Sequence, residues 1–161
     1  MTSWSAAFAA QAASDLDAYN LLVKSPLPMS HRLHYLQMWL EKLCKAYLLR
    51  DGAELETTHN IVSKVLPRVI AEHWRRLEFD RSPYLAPIRE LCREIDLLHP
   101  QVNDEKRRGD NAEYPWPGNS GKIEVPAQWS FPVSNNLETS PGRAMLKAAI
   151  ILTRRPAIFM G

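Results

Sequence analysis

The sequence predicts a mainly α fold, an antiparallel four- to five-helix bundle with a Pro-rich loop and short-strand excursion before the last helix. Three observations carry this. Four stretches before residue 99 and one after Pro141 repeat apolar residues every three or four positions, the period of a single helical face. Prolines, glycines and small polar residues fall between those stretches, where helices stop and start. Between Pro100 and Pro141 the period fades, and six of the 12 prolines and three of the six glycines collect there, which marks loop.

The first helix follows Trp4, Phe8, Ala12, Leu16, Tyr19 and Val23. KSPLPMS then breaks the chain, with Ser30 a competent cap for the next helix. In HRLHYLQMWLEKLCKAYLL the stripe Leu33, Leu36, Leu40, Leu43 and Tyr47 is widened by Tyr35, Trp39 and Ala46, as suits a central helix. Asp51-Gly52 supplies a stop. A third helix is expected from near His59, capped by Thr57 or Thr58, with Val62, Val65, Leu66, Val69, Ile70 and Leu77 on its apolar face; Pro67 should kink it or restart it. Ser82-Pro83 signals a fourth helix, delayed by Pro87 and running through IRELCREIDLL to a stop at Pro100. The excursion, about 100–141, promises one short strand near Lys122 to Val125, pinned by Tyr114, Trp116, Trp129 and Phe131. Ser140-Pro141 caps a last helix, GRAMLKAAIILT, whose small and aliphatic residues suit core packing or an oligomer face.

At 161 residues and 18.4 kDa the chain fits one domain, 1–161. A share of 45% hydrophobic and 24% charged residues is that of globular proteins. Twenty Lys+Arg against 18 Asp+Glu leave +2, so nucleic acid would have to meet a local basic patch rather than a global field. Cys44 and Cys92 sit in apolar stretches without metal-ligand spacing, as buried free thiols of a reducing compartment would. The first residues lack a basic leader and a long apolar run and include Asp15 and Asp17, so cytoplasmic residence without a membrane is expected. No phosphate-binding glycine loop, Ser/His/Asp signature or dinucleotide fingerprint occurs.

His31-x-x-His34 places two imidazoles at helical i,i+3 spacing, but no third ligand accompanies them and a polar helix start explains them as well. Trp74, Arg75 and Arg76, with Arg68 nearby, combine an aromatic with positive charge, the pattern single-stranded nucleic acid uses; a solvated helix face with Trp74 in the core is the plainer alternative.

With EKLCKAYL at Glu41 to Leu48 followed by His59-Asn60, ASDLDAYNLL at Ala13 to Leu22, and NAEYPW at Asn111 to Trp116, the chain resembles the HEPN family of small helical domains associated with nucleotides or RNA. The similar stretches spread over most of residues 3 to 155. The resemblance implies a homodimer, a nucleotide or RNA partner, and a setting beside a nucleotidyltransferase or within a toxin–antitoxin or defence system. It also marks Lys45 and His59, and Glu113, Tyr114 and Trp116 of NAEYPW, as candidate nucleotide- or RNA-binding residues beside Trp74, Arg75 and Arg76. The residues themselves favour a structural role, Tyr114 and Trp116 plugging the groove between helices with Pro115 and Pro117 fixing the backbone. No metal or other cofactor is expected.

Many members of that family are metal-independent ribonucleases in which an arginine is followed, about four to six residues on, by a histidine. Arg68 with His73, and as second choice Arg93 with His99, fit that spacing. The chemistry is sound: the histidine takes the proton of the ribose 2′-hydroxyl and the arginine fork holds the phosphate. On one regular helix, however, residues five apart point about 140° from each other and residues six apart about 120°. The family's catalytic form commonly has a polar residue directly after the arginine; Val69 after Arg68 departs from that, Glu94 after Arg93 would oppose a phosphate with its charge, and forms with an aromatic-proline motif usually lack the pair. The expectation is therefore a non-catalytic nucleotide- or RNA-associated binding domain. A metal-independent endoribonuclease and a structural interaction module using the last helix are the alternatives.

Overall fold

A computed structural model describes residues 3–50, 59–105 and 108–160 and is mainly helical. Helix α1 (Trp4–Val23) opens at Ser3, whose hydroxyl accepts the Ala6 N–H at 3.2 Å. Its buried side, Ala12, Leu16 and Tyr19, is the predicted stripe. Helix α2 (Met29–Leu49) starts earlier than the sequence suggests: Pro28 takes the cap position and Ser30 is buried in the first turn. Proline serves there because no helical acceptor awaits its missing N–H. Ser5 Oγ donates to the Ala46 carbonyl at 2.7 Å, and Lys42 pairs with Asp15 at 2.9 Å, so the two helices run antiparallel.

Helix α3 (Ile61–His73) runs on through Pro67, which neither restarts nor ends it. The ring removes one hydrogen bond, at a cost of about 3 kcal/mol. Val65, Leu66, Val69 and Ile70 are buried on either side, and each such side chain returns about 1.5–3 kcal/mol, so packing wins. Helix α4 (Leu85–Asp96) starts just past Ser82-Pro83, with Pro87 in its first turn. Asp96, at its end, accepts the N–H groups of Val62 and Ser63, at the start of α3, so these helices are antiparallel too. The stop at Asp51-Gly52 and the caps at Thr57 and Thr58 lie outside the described residues. Pro100 opens a short helix, α5 (Pro100–Glu105), rather than only ending the one before.

In the excursion, β1 (Trp116–Pro117) pairs antiparallel with β2 (Ile123–Glu124), Trp116 opposite Glu124. The expected strand is β2; its partner is too short for alternation to reveal. Gly121, at φ +75°, closes the turn with its N–H on the Gly118 carbonyl at 3.0 Å. One 3-10 turn (Pro126–Gln128) and a short helix α6 (Pro132–Leu137) lead to α7 (Ser140–Arg154) and α8 (Ala157–Met160). Thr139, not Ser140, caps α7, accepting the Gly142 N–H at 3.3 Å.

Met145, Ala148, Ala149 and Leu152 of α7 face a hydrophobic core shared with α1 to α4, α6 and α8. Trp39, at 0% exposure the largest fully buried side chain, donates its Nε1–H to Thr153 Oγ1 at 2.8 Å and ties α2 to α7. Cys44 and Cys92 are free and buried, and burial pushes both thiols well up from their ordinary range. Among the described residues no helix is long and apolar enough to cross a membrane.

Candidate functional site

Helix α2 carries His34, Gln37, Glu41 and Lys45 at steps of three and four, hence on one face. That face is not simply solvated, since Gln37 and Glu41 are buried. Gln37 Nε2 donates to Glu41 Oε2 at 2.7 Å, and Lys45 Nζ to Oε1 at 2.6 Å. Burial alone would raise the Glu41 carboxyl; the Lys45 and Gln37 donors reverse that and hold it below its usual value, so it is ionised at neutral pH.

Two histidines far apart in sequence meet beside this carboxylate. His59 precedes α3 and His99 lies between α4 and α5. Asp96, 2% exposed, accepts the Val62 N–H at 3.1 Å and the Ser63 N–H at 3.0 Å, capping α3 from the neighbouring helix. This cross-helix cap brings the two ends together, and the His59 and His99 rings stack with centroids 3.9 Å apart and planes 14° from parallel. His59 Nδ1 stands 3.9 Å from Glu41 Oε2 and is buried without a hydrogen-bond partner. His99 Nδ1 accepts the Gln101 N–H at 3.3 Å. Burial, then the neighbouring His59, depress the His99 pKa, so that ring is neutral near pH 7.

Asn111, buried in the NAEYPW turn, organises the third side. Its Oδ1 accepts the N–H groups of Glu113 at 2.9 Å and Tyr114 at 2.8 Å, while the Ala112 N–H reaches the Leu98 carbonyl at 3.0 Å. Glu113 Oε1 is thereby held 3.6 Å from His34 Nδ1. Beyond the turn opens a cleft of about 950 Å³ lined by Tyr114, Trp116, Trp129, Asn111 and Arg108. Trp116 is buried edge-on against Trp129, at 5.4 Å and 83°, within the excursion, whereas Tyr114 is 61% exposed. Arg108 is paired with Asp110 at 2.7 Å.

Of the sequence candidates, then, Lys45, His59, His99 and Glu113 come together, with Tyr114 and Trp116 on the adjoining cleft. The remainder lie elsewhere. Arg68 is mid-helix and exposed, donating to Glu72 at 2.8 Å beside the Tyr47 ring, away from any helix N-terminus. His73, at the end of α3, is half-buried and its pKa is lowered by burial, with Nε2 unpartnered. Arg93 is exposed and spends its guanidinium on Glu90 at 2.6 Å, whereas His99 turns to His59. Arg75 lies over Trp74 at 5.1 Å and Arg76 donates to the Ile158 carbonyl at 3.0 Å, beside His73. His31 is exposed, apart from the His34–Glu113 pair.

Sequence reasoning passed over Glu41, Gln37 and Asp96 as site residues. The visible signal was a Gln-x3-Glu-x3-Lys series at helical spacing in the central helix. Among the described residues, Glu41, His59 and His99 form the set whose ligand atoms, all within 4.8 Å of one another, could share a metal ion. Comparison of the chain with family models, curated proteins and solved structures returns no match.

Proposed function

We propose that the chain is a non-catalytic, HEPN-like binding domain for a nucleotide or a short stretch of RNA. The observation that carries this reading is the junction at Glu113-Tyr114, with the Glu41, Lys45, His59 and His99 cluster on one side and the aromatic cleft on the other. A base has exposed aromatic surface on which to stack, Tyr114 above all. Glu41 and Glu113 offer acceptors for ribose hydroxyls and exocyclic amines, and Lys45 offers a donor to phosphate. The donors and acceptors are held by Gln37, Asp96 and Asn111, so little ordering entropy remains to be lost on binding.

On this reading the chain works in the cytoplasm as a homodimer, with a nucleotidyltransferase or an antitoxin as protein partner. Arg68 and His73 diverge on one continuous helix and His99 stacks on His59 rather than beside Arg93, which speaks for binding over catalysis. The test is quenching of tryptophan fluorescence by AMP, ATP and a short single-stranded RNA. Saturable quenching is expected, weakened by about 5-fold or more in Tyr114→Ala, as loss of a stacked base costs about 1–3 kcal/mol. Trp74→Ala should leave the affinity unchanged. No saturable binding of any of the three probes, or binding lost only in Trp74→Ala, removes the proposal.

A further inference from the structure

We infer that Glu41, His59 and His99 form a binding site for a divalent first-row transition metal ion, with Zn²⁺ and Co²⁺ as the probes. The inference goes beyond the nucleotide reading and does not depend on it, because the ion is measured alone. One carboxylate oxygen and two imidazole nitrogens already lie within 4.8 Å of one another. A tetrahedral zinc site with bonds of about 2.0–2.2 Å has its donors roughly 3.4 Å apart, so closure needs shifts of about 1 Å together with a turn of both rings out of their parallel stack, which brings the in-plane lone pairs onto one ion. His59 and His99 are only partly buried and make no tight hydrogen bond that would resist such a shift.

The surroundings favour a metal over an ordinary polar contact. His59 Nδ1 is buried, faces Glu41 Oε2 at 3.9 Å and has no hydrogen-bond partner. A buried nitrogen left in that state is costly, and a cation bridging it to the carboxylate removes the cost. Gln37 and Lys45 hold the carboxylate in place as outer-sphere donors. Lys45 occupies Oε1, and Oε2, which also accepts the Gln37 Nε2–H at 2.7 Å, keeps its second lone pair for monodentate ligation. Imidazole donors select transition ions over Mg²⁺ or Ca²⁺, and the buried thiols of Cys44 and Cys92 are not in the set.

A ligand tautomer follows. His99 Nδ1 accepts the Gln101 N–H, and either mode of ligation ends that bond. A metal on Nδ1 takes its lone pair; a metal on Nε2 requires the ring proton to sit on Nδ1. The Gln101 amide is thus a reporter of ligation that lies outside the ligand set.

The experiment titrates Co²⁺ and Zn²⁺ into tag-free, chelator-stripped protein, following the visible Co²⁺ spectrum, calorimetric stoichiometry and amide NMR. One equivalent is expected, with N/O coordination lacking thiolate charge-transfer bands and a shifted Gln101 amide. Affinity should fall at least tenfold in each of His59→Ala, His99→Ala and Glu41→Gln, and stay unchanged in His31→Ala and His73→Ala. Circular dichroism identifies any variant that fails to fold; His59→Gln and His99→Gln, which keep polar side chains, then replace it. No binding at millimolar ion, thiolate bands, or affinity indifferent to His59 and His99 overturns the site.

Discussion

His59 lies face to face on His99, ring centroids 3.9 Å apart, although 40 positions separate them in the chain. The contact exists because Asp96, three residues before His99, caps the helix that begins two residues after His59. The meeting of the two histidines therefore depends on one buried carboxylate.

Asp96 is pulled two ways, since burial raises its pKa while the Ser63 hydroxyl and the Ser63 and Val62 N–H groups lower it; burial wins and carries it from 3.8 to about 6. Between those values the folded protein keeps a proton that the unfolded chain releases. The Asp96 contribution to stability is thus full below about pH 4 and declines as pH rises through 6. Urea unfolding from pH 4 to 7 should show the stability gap between wild type and Asp96→Asn shrinking with pH, by on the order of 1–3 kcal/mol. A gap that widens with pH would mean that the two caps outweigh burial.

Thr153→Val removes the acceptor of the Trp39 Nε1–H at 0% exposure. A buried donor left unpaired costs about 1–3 kcal/mol, so the urea midpoint should fall accordingly with an unchanged slope. An unaltered midpoint would show that the α2–α7 tie contributes nothing.

Gly142→Ala sets a Cβ against the backbone carbonyls of Asn136 and Leu137, which cannot swing aside as a side chain would. The substitution should destabilise the chain by more than about 1 kcal/mol despite alanine's better helix propensity. Thermal unfolding checks this, and a rise in Tm would contradict the close α6–α7 approach.

Labelled structured RNA should survive incubation with the protein in the presence of chelator, because Arg68 and His73 diverge on one helix and His99 stacks on His59 rather than beside Arg93. Chelator-resistant cleavage that disappears in folded His73→Ala or His99→Ala would instead establish the ribonuclease and choose its pair.

The long helices were legible because their apolar residues keep a helical period over three or more turns, and the Lys122 to Val125 strand because of local alternation. Helices α5 and α6 and strand β1 are too short to show a period. Boundaries shifted by one or two residues, α2 starting after Pro28 without a side-chain cap and α7 after Thr139, whose hydroxyl caps it. Lys45, His59 and Glu113 entered as candidates through family-like motifs, and His99 through its spacing from Arg93. Their convergence on Glu41 was not readable, because it depends on the Asp96–Val62 and Ala112–Leu98 contacts between distant segments.

The most direct measurement is amide NMR of labelled protein titrated with AMP and then with a short single-stranded RNA. Saturable shifts should gather at Lys45, His59, His99, Glu113 and Tyr114, on the two sides of the NAEYPW turn. Saturable shifts centred on Trp74, Arg75 and Arg76, or none at all, would contradict a ligand site at the stacked histidines.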